Sequence, residues 1–172
     1  MKRLSSLLIL TLTLSACNFG SLHPTLFNNR VVELVNPTTL AIEESALTYN
    51  SVVPDELTEL SLVETDQLRL NYDEALELLE DSNKALNYES ENLEQQATVR
   101  GHLETYISAG SEYLEAYEAM LIYFEDASHM EDPNRLDDLD PTLHAAYNTF
   151  TEANNDLVTS LAEFVKTETP TE

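Results

Sequence analysis

The chain has 172 residues, enough for one domain with a hydrophobic core that needs no disulfide or metal. Its 32 acidic residues against eight Lys and Arg give a formal net charge of −24, which argues against nucleic acid as a partner because nucleic acid is itself a polyanion. The single cysteine, Cys17, excludes an intramolecular disulfide and a zinc site of three or four thiolates, and the presence of only three glycines argues against a phosphate-cradling loop.

The first 16 residues have the order of a bacterial export signal. Lys2 and Arg3 form a short positive region, and the mostly apolar residues 4–14 are too few for a membrane-spanning helix, which needs about 20. Their length is that of a signal-peptide core. Residues 14–17, Leu-Ser-Ala-Cys, resemble the lipobox of bacterial lipoproteins. We therefore interpret residues 1–16 as a lipoprotein signal peptide; the alternative is an ordinary secretory leader with an incidental cysteine.

The lipobox resemblance implies that the leader is removed before Cys17 and that its sulfur carries a diacylglycerol. Two or three acyl chains hold a protein stably on a bilayer, because each buried methylene contributes about 0.8 kcal/mol. Loss of Lys2 and Arg3 leaves 32 acids and six bases, a formal charge of −26. The expected location is the extracytoplasmic side of the cell envelope. An Asp after the cysteine would resemble the inner-membrane retention signal of enteric bacteria. Residue 18 is Asn, so the resemblance implies the periplasmic face of the outer membrane in a Gram-negative host.

Residues 17–36 are interpreted as the lipidated cysteine followed by a tether, with the apolar residues of 31–35 allowing a short strand or turn packed on the domain instead. The first helix is predicted from Asn36-Pro37, a cap followed by a first-turn proline. Its apolar stripe is Ile42, Ala46, Tyr49 and Val53, after which Pro54 interrupts the helix. Ser61 and Glu64 then predict a capping box. The second stripe is Leu68, Tyr72, Ala75, Leu79, Ser82 and Leu86.

The third helix has the clearest pattern, after polar residues 87–92 that are either a turn or helix. Its stripe alternates spacings of four and three: Val99, Leu103, Tyr106, Gly110, Tyr113, Tyr117, Met120 and Phe124. Ile107, Leu114 and Leu121 widen it to about 100°, enough to be buried by two neighbours. We expect Gly110 to allow close approach of another helix, and the tyrosines to be core residues. The alternative for the tyrosines is an aromatic ligand groove.

Asp132-Pro133 is predicted to end the third helix, and Asp140-Pro141 to cap the fourth. The acidic segment between them is interpreted as a solvated linker, with calcium binding as the alternative, since its spacing is not that of an EF-hand. The fourth stripe is Leu143, Tyr147, Phe150, Asn154, Leu157, Leu161 and Phe164. Asn154 is expected to fix the helix register, and residues 167–172 are expected to be a disordered tail.

These periodicities predict an all-α fold, an antiparallel bundle of three to four helices over residues 37–166. Tyr123-Phe124, the acidic segment after it and residues 143–153 (Leu-His-Ala-Ala-Tyr-Asn-Thr-Phe-Thr-Glu-Ala) resemble the YiiG-like bacterial lipoproteins. Tyr49-Asn50 is compatible with the N-terminal helix of that family. The resemblance implies an all-helical lipoprotein and supplies no activity or catalytic residue.

The sequence contains no recognisable catalytic set. Glu125 and Asp126 lie four and three residues before His129, but a di-iron bundle needs two such pairs and two further Glu. We interpret His129 as a helix-end histidine, where its charge suits the helix dipole. His23, His102 and His144 are scattered. We predict no catalytic, cofactor-binding or metal-ligating residue, so Cys17, as the lipidation site, is the one predicted site residue.

The preferred function is a non-enzymatic binding or interaction module at the cell envelope, anchored to the membrane and bound to an unidentified envelope protein. The anchor, the wide apolar helix and the absence of a catalytic set favour it. The alternative is a lipoprotein that binds a small ligand or a divalent cation in uptake or sensing, which the acidic segment and the tyrosines suggest. An enzyme is the least favoured hypothesis.

Overall fold

A computed structural model describes residues 22–53, 62–90, 93–126 and 131–166. Four long helices make up most of these ranges: α1 (Pro24–Val52), α2 (Leu62–Ser82), α3 (Leu93–Glu125) and α4 (Leu136–Lys166). The 3-10 segments Asn83–Asn87 and Pro133–Arg135 follow α2 and precede α4. Within the described ranges there is no β-strand, and Leu22 and Ser90 form an isolated bridge. The all-α prediction is confirmed.

The helices form an antiparallel four-helix bundle in which each helix packs on its sequence neighbours and α1 closes the ring against α4. At one end Phe27 of α1 contacts Phe164 of α4, with ring centroids 5.3 Å apart. At the other end Tyr49 contacts His144. Helices α1 and α2 are also antiparallel, because Thr38 contacts Ser82 and Thr48 contacts Asn71. Helices α3 and α4 are antiparallel as well, because Tyr106 contacts Phe150 and Tyr113 contacts Tyr147.

The structure differs from the predicted tether over residues 24–36, which are the first half of α1. The helix begins at Pro24, a proline in the first turn, and Phe27, Val31 and Val35 are buried on its inner face. Pro37 therefore lies inside the helix instead of starting it, with its ring exposed. Burying three such side chains stabilises by about 1.5–3 kcal/mol each, which exceeds the cost of about 3 kcal/mol for an interior proline.

The fourth helix also begins earlier than predicted, at Leu136 instead of Asp140. Leu136 and Leu139 pack partly buried against the core, which favours helix in this segment. Asp137 and Asp138 lie in the first turn, where carboxylates interact favourably with the helix dipole. Half of the predicted acidic loop is consequently helical, and Pro141 is an interior residue of α4.

The predicted stripes form the core. Every apolar stripe position of α3 from Val99 to Phe124 is buried, and the same holds for most positions of the other three stripes. Gly110 allows the close approach that was predicted, because a Cβ built on it would lie 2.9 Å from Leu79 Cδ1 of α2. The segment 87–92, predicted as turn or helix, begins with the end of a 3-10 turn and continues without helix through Ser90.

Four tyrosines, which we call the core tyrosines, place hydroxyl groups inside the bundle: Tyr49, Tyr106, Tyr113 and Tyr117. Small residues of α1 pair with them: Ser45 Oγ lies 2.8 Å from Tyr113 Oη, and Thr39 Oγ1 lies 3.0 Å from Tyr106 Oη. Burial is the largest cause that raises the pKa of all four above the ordinary value of 10.0. Their core assignment is confirmed. Asn154 accepts a hydrogen bond from Thr39, which ties α4 to α1.

Several predictions fall outside the described residues. They concern the signal peptide 1–16, Cys17, the capping residue Ser61, His129 and the tail 167–172. None of the helices in the described ranges combines the length and the apolarity needed to cross a membrane.

Candidate functional site

A cleft of about 360 Å³ opens between the C-terminal end of α1 and the first turns of α4. This volume lies in the range of small-molecule sites, roughly 300–1,000 Å³. The residues that line it are Tyr49, Asn50, Val53, Leu136, Asp137, Asp140, Pro141 and His144. The α4 members recur at the three- and four-residue spacing of one helix face, so the cleft exists because α4 is helical from Leu136.

Asp140 is the centre of the hydrogen bonds in the cleft. Tyr49 Oη donates to Asp140 Oδ1 over 2.7 Å. His144 Nδ1 lies 3.3 Å from Asp140 Oδ2 and 2.9 Å from the Asp140 backbone oxygen, and its Nε2 lies 3.2 Å from Asn50 Oδ1. The neutral imidazole can donate one of these hydrogen bonds, whereas the imidazolium donates at both nitrogens. Asp140 Oδ1 is thus held by Tyr49, and Asp140 Oδ2 lies beside the His144 ring.

Tyr49 acts here as a hydrogen-bond donor. Burial, and after it the hydrogen bond to Asp140, raises the pKa of Tyr49 well above the ordinary tyrosine value. Its hydroxyl therefore keeps its proton at neutral pH and donates it to the carboxylate. The ring meets His144 edge-on, with centroids 6.1 Å apart, which places the two side chains as one wall of the cleft.

Asp137 supplies a second carboxylate on the same helix face, one turn before Asp140, and it is exposed to solvent. Its place in the first turn of α4 has a purely structural explanation, since carboxylates are favourable there. Two carboxylates on one wall, beside the amide of Asn50, also offer a set of acceptors. Such a set suits a positively charged donor, an ammonium or a guanidinium, through charge-assisted hydrogen bonds.

Of the histidines within the described residues, only His144 lines this cleft. His23 is the N-cap of α1, not a tether residue, and its Nδ1 accepts the backbone N–H two residues further on. His102 is half-buried on α3. Asp126 is exposed at the end of α3, and its predicted neighbour His129 lies outside the described residues. Across the part of the chain that the structure describes, no group of three or more His, Cys, Asp or Glu could hold a metal ion.

Sequence reasoning missed this cleft although one signal was present. Asp140 and His144 have the four-residue spacing of a helix face, but Asp140 was assigned to a cap, which would have turned it away from that face. Tyr49 and Asn50 are 91 and 94 residues from their partners, so periodicity alone could not pair them.

Comparisons with protein-family models, with curated proteins and with solved structures found no match to this chain.

Proposed function

We propose that the chain is a lipoprotein held on the extracytoplasmic face of an envelope membrane by lipid on Cys17, and that its bundle is a non-enzymatic binding module. The order of features in residues 1–17 supports the anchor: two bases, an apolar stretch, small residues and the chain's one cysteine. Membership of the YiiG-like lipoproteins is part of the same proposal and rests on residues 123–124 and 143–153.

The cleft is the proposed binding site, and its ligand is a positively charged side chain of an envelope protein. The observation that carries this is the pair of carboxylates, Asp137 and Asp140, on one wall. The hydrogen bond from Tyr49 holds the Asp140 carboxylate in one orientation, so less conformational entropy is lost when a ligand binds. The strong negative charge of the whole chain adds long-range attraction for a basic partner.

A free small amine is the second candidate ligand. The volume of about 360 Å³ favours it, since a flat protein contact would need no such concave space.

Photo-crosslinking in living cells tests the site. A photoreactive amino acid in place of Asn50 should capture one reproducible envelope protein, whereas the same residue in place of Glu115, exposed on α3, should not. Asp137→Asn should weaken that capture. Asp138→Asn is the matched control, because it removes the same charge from an exposed neighbour outside the lining. Equal effects of the two variants would show that the cleft is not the site.

A thermal denaturation series separates the two ligands. If a free amine binds, arginine amide should raise the melting temperature by mass action, and Asp137→Asn should reduce that rise. A protein partner alone predicts no such shift.

Replacement of one atom tests the anchor. Cys17→Ser should leave the precursor unprocessed and abolish incorporation of labelled fatty acid. Normal processing of this variant, with retention in the detergent-requiring fraction, would refute the lipoprotein assignment.

A further inference from the structure

The chain enters the bundle at one defined end. Leu22 donates its backbone N–H to the Glu89 carbonyl over 2.7 Å, beside the connection between α2 and α3, and α1 starts two residues later. We call the anchor end the part formed by the first turns of α1, residues 87–90 and the last turns of α4. The five residues from Cys17 to Leu22 span at most about 18 Å when fully extended, so lipid on Cys17 would keep this end close to the bilayer.

The two halves of the bundle also differ in charge. Hydrogen bonds of Thr38 and Thr39 with Leu78, Tyr106 and Asn154 mark one level across all four helices. The anchor half comprises residues 22–37, 79–90, 93–106 and 155–166, and the cleft half comprises residues 38–53, 62–78, 107–126 and 131–154. The described residues of the anchor half have eight acids and four bases, and those of the cleft half have 18 acids and two bases. Their formal charges are thus −4 and −16.

The bases of the anchor half include an exposed side chain near the anchor end. Arg30, in the second turn of α1, is more than half exposed, although it pairs with the neighbouring Glu33. An anionic headgroup layer attracts such bases within about a Debye length and repels a surface rich in carboxylates. Placing the anchor half near the lipid and the cleft half away from it therefore has the lower electrostatic energy.

We propose that the bundle stands upright on the bilayer on its anchor end and presents the cleft away from the membrane. The 27 residues from Leu22 to Tyr49 rise about 40 Å along α1, which sets the height of the cleft above the anchor end. This inference rests on the lipid at Cys17, whereas the charge difference between the halves is independent of it. The surface bound is the anionic headgroup layer of the membrane that holds the lipid.

Two single reporters test the orientation in the full lipidated protein, reconstituted in phosphatidylglycerol vesicles that contain a paramagnetic lipid. Because Cys17 would be alkylated, Asn87→Cys and Ser51→Cys each provide one labelling site, exposed near opposite ends. The label at position 87 should be strongly relaxed by the paramagnetic lipid, and the label at position 51 should stay at the level seen without it. Equal relaxation of the two labels on vesicle-bound protein, or stronger relaxation at position 51, would overturn the orientation.

A charge reversal tests the electrostatic cause. Arg30→Glu should reduce the contrast between the two labels on phosphatidylglycerol vesicles and leave it unchanged on phosphatidylcholine vesicles. Arg135→Glu, an equal change at an exposed site of the cleft half, is the control and should leave the contrast unchanged on both. If the two reversals act alike, the charge argument is wrong. If the protein fails to stay on vesicles, or Cys17→Ser is processed normally, the lipid anchor itself fails, and this outcome is distinct from a wrong orientation.

Discussion

Gly110 offers the sharpest test of how α2 and α3 pack. A Cβ at this position would lie 2.9 Å and 3.3 Å from the two Cδ atoms of Leu79 and 3.6 Å from Ile42 Cδ1. Carbon atoms at optimal separation are about 3.5–4.0 Å apart, so Gly110→Ala would force Leu79 to move. Overpacking of this kind costs about 1–3 kcal/mol.

Helix propensity acts in the opposite direction. Ala is favoured over Gly in a helix interior by about 1 kcal/mol, so the free energy of unfolding of Gly110→Ala should be unchanged or lower by up to about 2 kcal/mol. Gly101 provides a matched control on the same helix, because it is exposed and a Cβ there would meet nothing within 4 Å. Gly101→Ala should therefore raise the free energy of unfolding by about 1 kcal/mol.

Urea denaturation followed by circular dichroism measures both variants in the chain from residue 18 onward. The two should differ by about 1–3 kcal/mol with unchanged slope. In a Leu79→Ala background the obstruction is gone, and Gly110→Ala should become stabilising, as Gly101→Ala is. Equal stabilisation by Gly110→Ala and Gly101→Ala in the wild-type background would refute the close packing of α2 on α3.

Three further predictions concern the interior and α1. Ser45→Ala leaves the Tyr113 hydroxyl without its closest partner and should cost about 1–3 kcal/mol, while a double-mutant cycle with Tyr113→Phe should show less than additive loss. The pKa of each core tyrosine lies above its unfolded value of 10.0, so the stability they contribute is present below pH 10 and lost as pH rises above it. With four protons involved, the loss approaches about 5 kcal/mol per pH unit; the tyrosinate absorbance of four of the chain's eight tyrosines should appear together with loss of helix, and ionisation of all eight in the intact helical state would contradict the burial. Pro37→Ala should stabilise by about 1–3 kcal/mol in urea denaturation, because the ring is exposed and its removal restores a helix hydrogen bond; destabilisation would show that the proline shapes α1.

The interior of the bundle was predictable because its pattern repeats. In α3 the stripe from Val99 to Phe124 defines one buried face over several turns. Each further spacing of three or four residues strengthens the prediction of a helix over a strand. The pairing of hydroxyl groups was not predictable in the same way. In the sequence Ser45 is an ordinary polar residue. Only the register of α1 against α3 shows that it lies beside Tyr113, 68 residues later.

The predicted starts of α1 and α4 were wrong because a local sequence rule competed with the burial of apolar side chains that precede each proline. At Pro37 and Pro141 a cap residue precedes a proline, which locally predicts a helix start. At both places apolar residues before the proline pack on the core, and their burial extends the helix backwards. The interior proline costs free energy locally, but burial of the apolar side chains stabilises the helical segment by more than that cost.

The earlier start of α4 also creates the cleft. Had α4 started at Asp140, that residue would cap the helix and its side chain would turn back to the first-turn N–H groups. With α4 starting at Leu136, Asp137, Asp140 and His144 fall on one face, and the antiparallel register sets that face against Tyr49 and Asn50 at the end of α1. A carboxylate that the local rule assigns to a cap is thereby directed toward a partner helix and an open cleft. Helix extension past a cap signal is accordingly the physical origin of the one cleft that we propose as a binding site.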